Sequence, residues 1–299
     1  MERREFLQKS ALTLGSVAFS GELLAAKKKK GVVGVQLYSI RTDMKADPLA
    51  NLKKLAEMGY TDVEHANYIN RKFYGYSASE FRKILDDLGL KMPSGHTVMG
   101  KQHWDESKKD FTDAWKQTVE DAAICGQKFV ISPSLGMDMR KDLDQLKHFM
   151  DIFNKSGELC QKSGMKFGYH NHDFEFSTKL NEISLFDHIM QNTDPKLVAQ
   201  QLDIGNMYGG GGRALEVLAK YPGRFELMHV KDEVKSETEH GGWESSILGV
   251  GVIGTKEVID VGRKSGGTKY FIIEQESYQG KAPLDAMKED LAIMKKWGY

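Results

Sequence analysis

"DLDQLKHFMDIFNKSGELCQKSGMKFGYHNH", residues 142–172, changes its periodicity once, and that change is the building rule of the chain. Up to Ser163 its apolar residues recur at the spacing of one helical face. Gly164 then supplies a stop suited to a left-handed helix cap. "MKFGYHNH" (165–172) reads as a β-strand whose end carries His170 and His172 two positions apart, and so on one face. Whether that polar end meets water or a metal and a substrate depends on what the other units bring beside it.

The unit recurs along the chain. Strand candidates are "GVVGVQLYSI" (31–40), "TDVEHA" (61–66), "KMPSGHTV" (91–98), "KFVISP" (128–133), "LVAQQLD" (197–203), "FELMHVKD" (225–232) and "KYFIIEQE" (269–276). Helical patterns lie between them. In "PLANLKKLAEMG", Leu49, Leu52, Leu55, Ala56 and Met58 form an apolar stripe and Gly59 ends it. Gly89 and Gly126 hold the same place before other strands. Eight strand–helix units over residues 31–299 predict one α/β domain, a single (β/α)8 TIM barrel. The rival is an open doubly wound sheet, which would carry a glycine-rich phosphate loop after its first strand, and "VQLYSIRTD" offers none. "GGGG" (209–212) is expected to be a mobile loop over the barrel mouth.

Lys+Arg and Asp+Glu both total 42, so the formal net charge is zero. That balance argues against a nucleic-acid partner, whose phosphates call for excess basic charge. Cys125 and Cys160, each in a helical segment and outside any CxxC pattern, read as small core residues. Residues 1–30 differ in kind. Arg3-Arg4, then Phe6-Leu7, a short apolar stretch from Ala11 to Phe19 and "LLAA" at 23–26 resemble a twin-arginine export signal, which predicts a periplasmic protein. No other stretch is long and apolar enough to span a bilayer, so no integral membrane protein is expected.

Active sites of (β/α)8 barrels form where the strands end. Polar residues sit there at i and i+2 spacing: Gln36/Tyr38, His170/His172, Gln201/Asp203, His229/Lys231 and Glu274/Glu276. Glu64 and His96 end two further strands. The interleaved Val35, Leu37, Leu202, Met228, Val230 and Ile273 suit packing against helices. Any one of these polar residues has a structural explanation, such as a hydrogen-bonded histidine or an Asp203 that caps the next turn. Together, imidazoles and carboxylates from separate strands point to one divalent metal ion.

"GVQLYSIR", "GYTDVEHA", "YHNHDFEF", "QLDIGN", "MHVKD", "LGVGVIG" and "FIIEQE", in this order, resemble the xylose isomerase-like sugar isomerase/epimerase superfamily. The likeness covers nearly the whole chain after residue 31. It implies a TIM barrel holding one divalent ion, manganese first, with zinc, cobalt or magnesium as alternatives. The family's ligands are a Glu on strand five, an Asp on strand six, a His on strand seven and a Glu on strand eight. Three carry over as Asp203, His229 and Glu274. The fourth position aligns with His170, which replaces a carboxylate; His172 or Glu175 is the alternative ligand.

The resemblance implies proton abstraction next to a carbonyl through a metal-stabilised enediolate. Glu274 is the first acid/base candidate, with His170 or another histidine as partner, and Lys231 faces a developing oxyanion. Tyr38, Glu64, His96, His172 and Glu276 are expected to face the sugar. Export and the missing phosphate loop point to a non-phosphorylated sugar or keto-glycoside, with a separate sugar oxidoreductase making the ketone. The reaction is isomerisation or epimerisation, with elimination as the alternative. Two further readings are a multi-metal DNA-repair nuclease and a non-catalytic sugar-binding protein. Zero net charge counts against the first, and intact Asp203, His229 and Glu274 against the second.

Overall fold

A computed structural model of the protein describes residues 31–237 and 242–299. The export segment expected at 1–30 lies outside the described residues. Eight strands close into a barrel: β1 (Val32–Gln36), β2 (Asp62–His65), β3 (Lys91–His96), β4 (Phe129–Ser132), β5 (Lys166–His170), β6 (Val198–Asp203), β7 (Leu227–Val230) and β8 (Tyr270–Ile273). All neighbours pair in parallel, and β8 returns to β1 with Tyr270 opposite Val32. Closure rules out the open sheet.

A helix follows each strand: α1 (Pro48–Met58), α2 (Ala78–Asp87), α3 (Asp113–Ile124), α4 (Leu143–Gln161), α5 (Leu185–Asn192), α6 (Ala214–Lys220), α7 (Thr255–Val261) and α8 (Pro283–Lys296). The start of α1 shows why: Asp47 accepts the Ala50 N–H at 3.0 Å and Pro48 takes the first turn, where its missing N–H costs nothing. Gly59, Gly89, Gly126 and Gly164 all take positive φ where the chain leaves a helix. Cys125 and Cys160 are buried and unpaired.

Alternation along the strands divides two kinds of interior. Val35, Leu37, Leu202, Met228, Val230 and Ile273 are fully buried in the core between barrel and helices. Inside the barrel Phe129, Ile131, Ala199, Leu227, Tyr270 and Ile272 form a separate apolar plug. Gly34 and Gly168 serve that plug, because a Cβ on either would press on Ile272 or Ile131. The polar strand ends sit above this dry floor. The glycine run begins by closing a short helix, Ile204–Gly209, and two of its four glycines pack closely. Gly210 rests on the Asp173 backbone and Gly212 on Met207 and Phe176. No helix among the described residues is long and apolar enough to cross a membrane.

One buried acid outside the mouth makes stability pH-dependent. Asp290 on α8 accepts the Leu248 N–H at 2.9 Å, and its Oδ2 forms no hydrogen bond. Burial pushes its pKa up to about 7. Since the folded chain holds this proton more tightly than the unfolded one, stability falls as pH rises from about 4 to 7. Asp290→Asn is expected to raise stability at pH 8 by up to about 4 kcal/mol and to change little at pH 4. Urea unfolding at the two pH values checks this; an equal shift at both would refute it.

Candidate metal centre at the barrel mouth

Strand register sets the site. Asp203 lies opposite His229 across β6 and β7, and His170 opposite Gln201 across β5 and β6. Glu274 follows β8 directly. One donor atom each from His170, Asp203, His229 and Glu274 lies within 4.8 Å of the others, and all four residues are buried. His229 Nδ1 is 2.9 Å from Glu274 Oε2 and 3.7 Å from Asp203 Oδ2. His170 Nε2 is 3.9 Å from Asp203 Oδ2.

Whether this set can hold a cation is testable atom by atom. Asp203 uses Oδ1 to accept the Asn206 N–H at 2.7 Å, while its buried Oδ2 forms no hydrogen bond. That oxygen, 3.3 Å from the Lys231 ammonium, also faces the two imidazoles at 3.7 and 3.9 Å. Gln201 Oε1 accepts from His170 Nδ1 at 3.1 Å, which leaves the Nε2 lone pair free toward the centre. His229 donates from Nε2 to Glu64 at 2.6 Å, which turns Nδ1 inward. Two oriented imidazoles and two carboxylates suit a divalent transition metal.

Charge agrees. Burial alone would raise the Glu274 pKa, but Lys231 and His229 hold it well below the carboxylate range. Burial alone would lower that of His229, yet Glu274 and Glu64 raise it well above an ordinary imidazole. His170 shows the opposite outcome. Burial, with His229 and His96 nearby, keeps it neutral. The centre thus draws a positive charge onto His229, and a bound cation would displace that proton.

Several residues take places the sequence leaves open. His172 lies past the end of β5, its ring 5.1 Å from that of His170, and stays outside the four-donor cluster. Its pKa is lowered, chiefly by burial, and its Nδ1 forms no hydrogen bond. Glu175 is turned away from the cluster. It accepts the His172 N–H at 2.8 Å and the Tyr169 hydroxyl. Lys231 Nζ is 3.0 Å from Glu274, 3.3 Å from Asp203 and 2.9 Å from Glu276. Asp232, next to Lys231 in sequence, accepts the N–H groups of Gly249 and Ile253. His96 bonds Gln201 at 2.7 Å and stacks on His229. Tyr38 sits on the turn after β1, 42% exposed, beneath the Arg41 guanidinium.

Glu64, expected to face the sugar, is instead fully buried with both of its oxygens engaged. Gln36, Gln201 and His229 reach it at 2.6–2.7 Å, and Ser94 bonds it as well. It orients His229 from below. Glu64→Gln is therefore expected to weaken metal binding about 10- to 100-fold. Calorimetric titration with manganese or zinc measures this, and unchanged affinity would remove Glu64 from the centre. The sequence marks the Gln201/Asp203 pair at a strand end but gives Gln201 no role, and it offers no signal for Ser94 or Asn171. Gln201 stands two residues before Asp203, so the spacing rule already marked its face. Asn171 clamps the Asp203 backbone through two 3.0 Å hydrogen bonds, which no local pattern signals.

A model of the xylose isomerase-like TIM barrel family matches residues 52–297. The chain belongs to that family. An inosose dehydratase of Geobacillus kaustophilus is 26% identical over an alignment of 198 residues, covering 60% of this chain and 60% of that relative. The match thus spans less than two thirds of the relative. A sugar phosphate isomerase/epimerase from Parabacteroides distasonis superposes with a TM-score of 0.73 at 25% identity, covering 89% of this chain and 98% of the other. A 3-keto-D-glucoside 4-epimerase from E. coli shares the fold at 15% identity, with a TM-score of 0.64, over 89% of this chain and all of that one. The family is thus one of enzymes, with dehydratases as well as isomerases and epimerases among the relatives.

Proposed function

We propose that the protein is a metal-dependent enzyme that removes a proton from carbon next to a carbonyl of a non-phosphorylated sugar or keto-glycoside. The observation that carries this reading is the convergence of His170, Asp203, His229 and Glu274 beside a buried, charged Lys231. Those four residues would hold a divalent ion, whose Lewis acidity makes the neighbouring C–H acidic. Glu274 is the first acid/base group and His172 its partner, because a neutral imidazole with an unbonded Nδ1 can take a proton. Lys231, kept protonated by Asp203, Glu274 and Glu276 despite its burial, offers positive charge to a developing oxyanion. Isomerisation or epimerisation follows when the proton returns to carbon.

Elimination is the second reading, and two observations favour it. The centre is asymmetric, with His170 where a symmetric exchange would use a second carboxylate, and Lys231 can donate a proton to a departing hydroxyl. The dehydratase relative adds support. In this proposal the enzyme is exported to the periplasm, and a separate oxidoreductase supplies the ketone. A mature N-terminus near residue 27 in periplasmic protein would support the export, and a cytoplasmic chain retaining Met1 would refute it.

Incubation of the metal-loaded protein with keto-sugars and 3-keto-glucosides in D₂O tests the chemistry. Deuterium is expected at the carbon beside the carbonyl, and Glu274→Gln should slow its incorporation about 10²- to 10⁴-fold. Loss of water from the product would select elimination. No exchange into any keto-sugar would overturn the proposal.

A further inference from the structure

Beside the four-donor centre lies a cavity of about 320 Å³ that shares Lys231 with it. Its wall includes Arg41, Asn206, Trp243, Glu244 and Glu276, from the segments after β1, β6, β7 and β8. This volume alone reaches the low end of small-molecule sites, about 300–1,000 Å³. The centre and Lys231 already provide for the reacting carbons, so the cavity has room for a further part of the substrate.

The wall specifies the chemistry of that part. Both cations are engaged: Lys231 by three carboxylates, and Arg41 by the carbonyls of Tyr38 and Glu276 and the Tyr278 hydroxyl at 3.3–3.5 Å. Glu276 and Glu244 line the same space, and Glu244 accepts the Ser277 hydroxyl at 2.6 Å. A phosphate or carboxylate entering here would meet the Glu244 carboxylate and a Glu276 already paired with Lys231, whereas sugar hydroxyls would find acceptors. Trp243 supplies the broad aromatic surface, its ring held edge-on by Tyr208 at 5.0 Å. Acceptors around one aromatic platform suit an uncharged polyhydroxylated ring.

We propose that this cavity is a second-ring subsite, so that the enzyme takes a neutral glycoside or disaccharide with its reacting ring at the metal centre. The inference rests on the chemistry proposed for that centre, narrows the substrate to a glycoside and adds the place where its second ring binds. Calorimetric titration of the metal-loaded full chain with cellobiose, glucose and glucose 6-phosphate tests it. Cellobiose is expected to bind at least about tenfold tighter than glucose, and Trp243→Ala to remove most of that advantage. Tryptophan fluorescence gives a second readout: the change on adding cellobiose should vanish in Trp243→Phe and persist in Trp297→Phe. Equal binding of the two neutral sugars, tightest binding of the phosphate, or a signal surviving in Trp243→Phe would overturn the subsite. Deuterium exchange into a keto-monosaccharide with no preference for its glycoside would do so too, while leaving the carbon-acid chemistry intact.

Discussion

Asp203→Asn is expected to weaken divalent-metal binding by more than about 100-fold, beyond what an outer partner such as Glu64 commands. Turnover should fall with it. The substitution is nearly isosteric and spares the neighbouring structure, since an asparagine Oδ1 can still accept the Asn206 N–H that Asp203 accepts now. What changes is Oδ2, the one buried centre oxygen with no hydrogen bond. An amide nitrogen there is a donor without a lone pair, set 3.3 Å from the Lys231 ammonium and 3.7 Å from His229 Nδ1. Thermal shift on adding manganese or zinc, together with calorimetry, reports the loss. A variant that binds metal as tightly as the parent chain would show that the cluster is not the centre.

Lys231→Met should destabilise the metal-free protein by about 3–5 kcal/mol, as expected when one partner of a buried charge network is removed. Lys231 is 1% exposed and compensates Asp203, Glu274 and Glu276. Without it, Asp203 and Glu274 face each other buried with His229 as their remaining positive neighbour, and saturating divalent ion should restore much of the loss. pH gives an independent check. Glu274 has a depressed pKa in the folded chain, so its stabilising pairing exists above the unfolded pKa and is lost as pH falls through the folded one. The gap between parent and variant should therefore narrow toward low pH. Denaturant unfolding with chelator and with metal measures both effects. A gap that ignores metal and acid alike would mean that Lys231 matters for packing alone.

Local signals made the barrel legible. A strand–helix unit repeated eight times, with Gly59, Gly89, Gly126 and Gly164 marking helix ends, leaves few architectures open. The period-two rule also placed Asp203, His229 and Glu274 on the inner face, because inward and outward positions alternate whatever the partner strand. Hydrophobic burial enforces that choice, as the fully buried Val35, Leu202 and Ile273 between them show.

Distances between strands were beyond such rules. Among His170, His172 and Glu175, the choice follows from where β5 stops and how the short helix Phe174–Ser177 folds Glu175 back toward Tyr169. Glu64 looked like its neighbours in sequence, yet side chains from four other strands close over it. The amino-acid order by itself determined which residues point into the barrel, since alternation and helical period are properties of adjacent residues. Only the tertiary structure decided which of them meet: register and strand ends set distances across the chain, and a metal or hydrogen bond is sensitive to differences of an ångström.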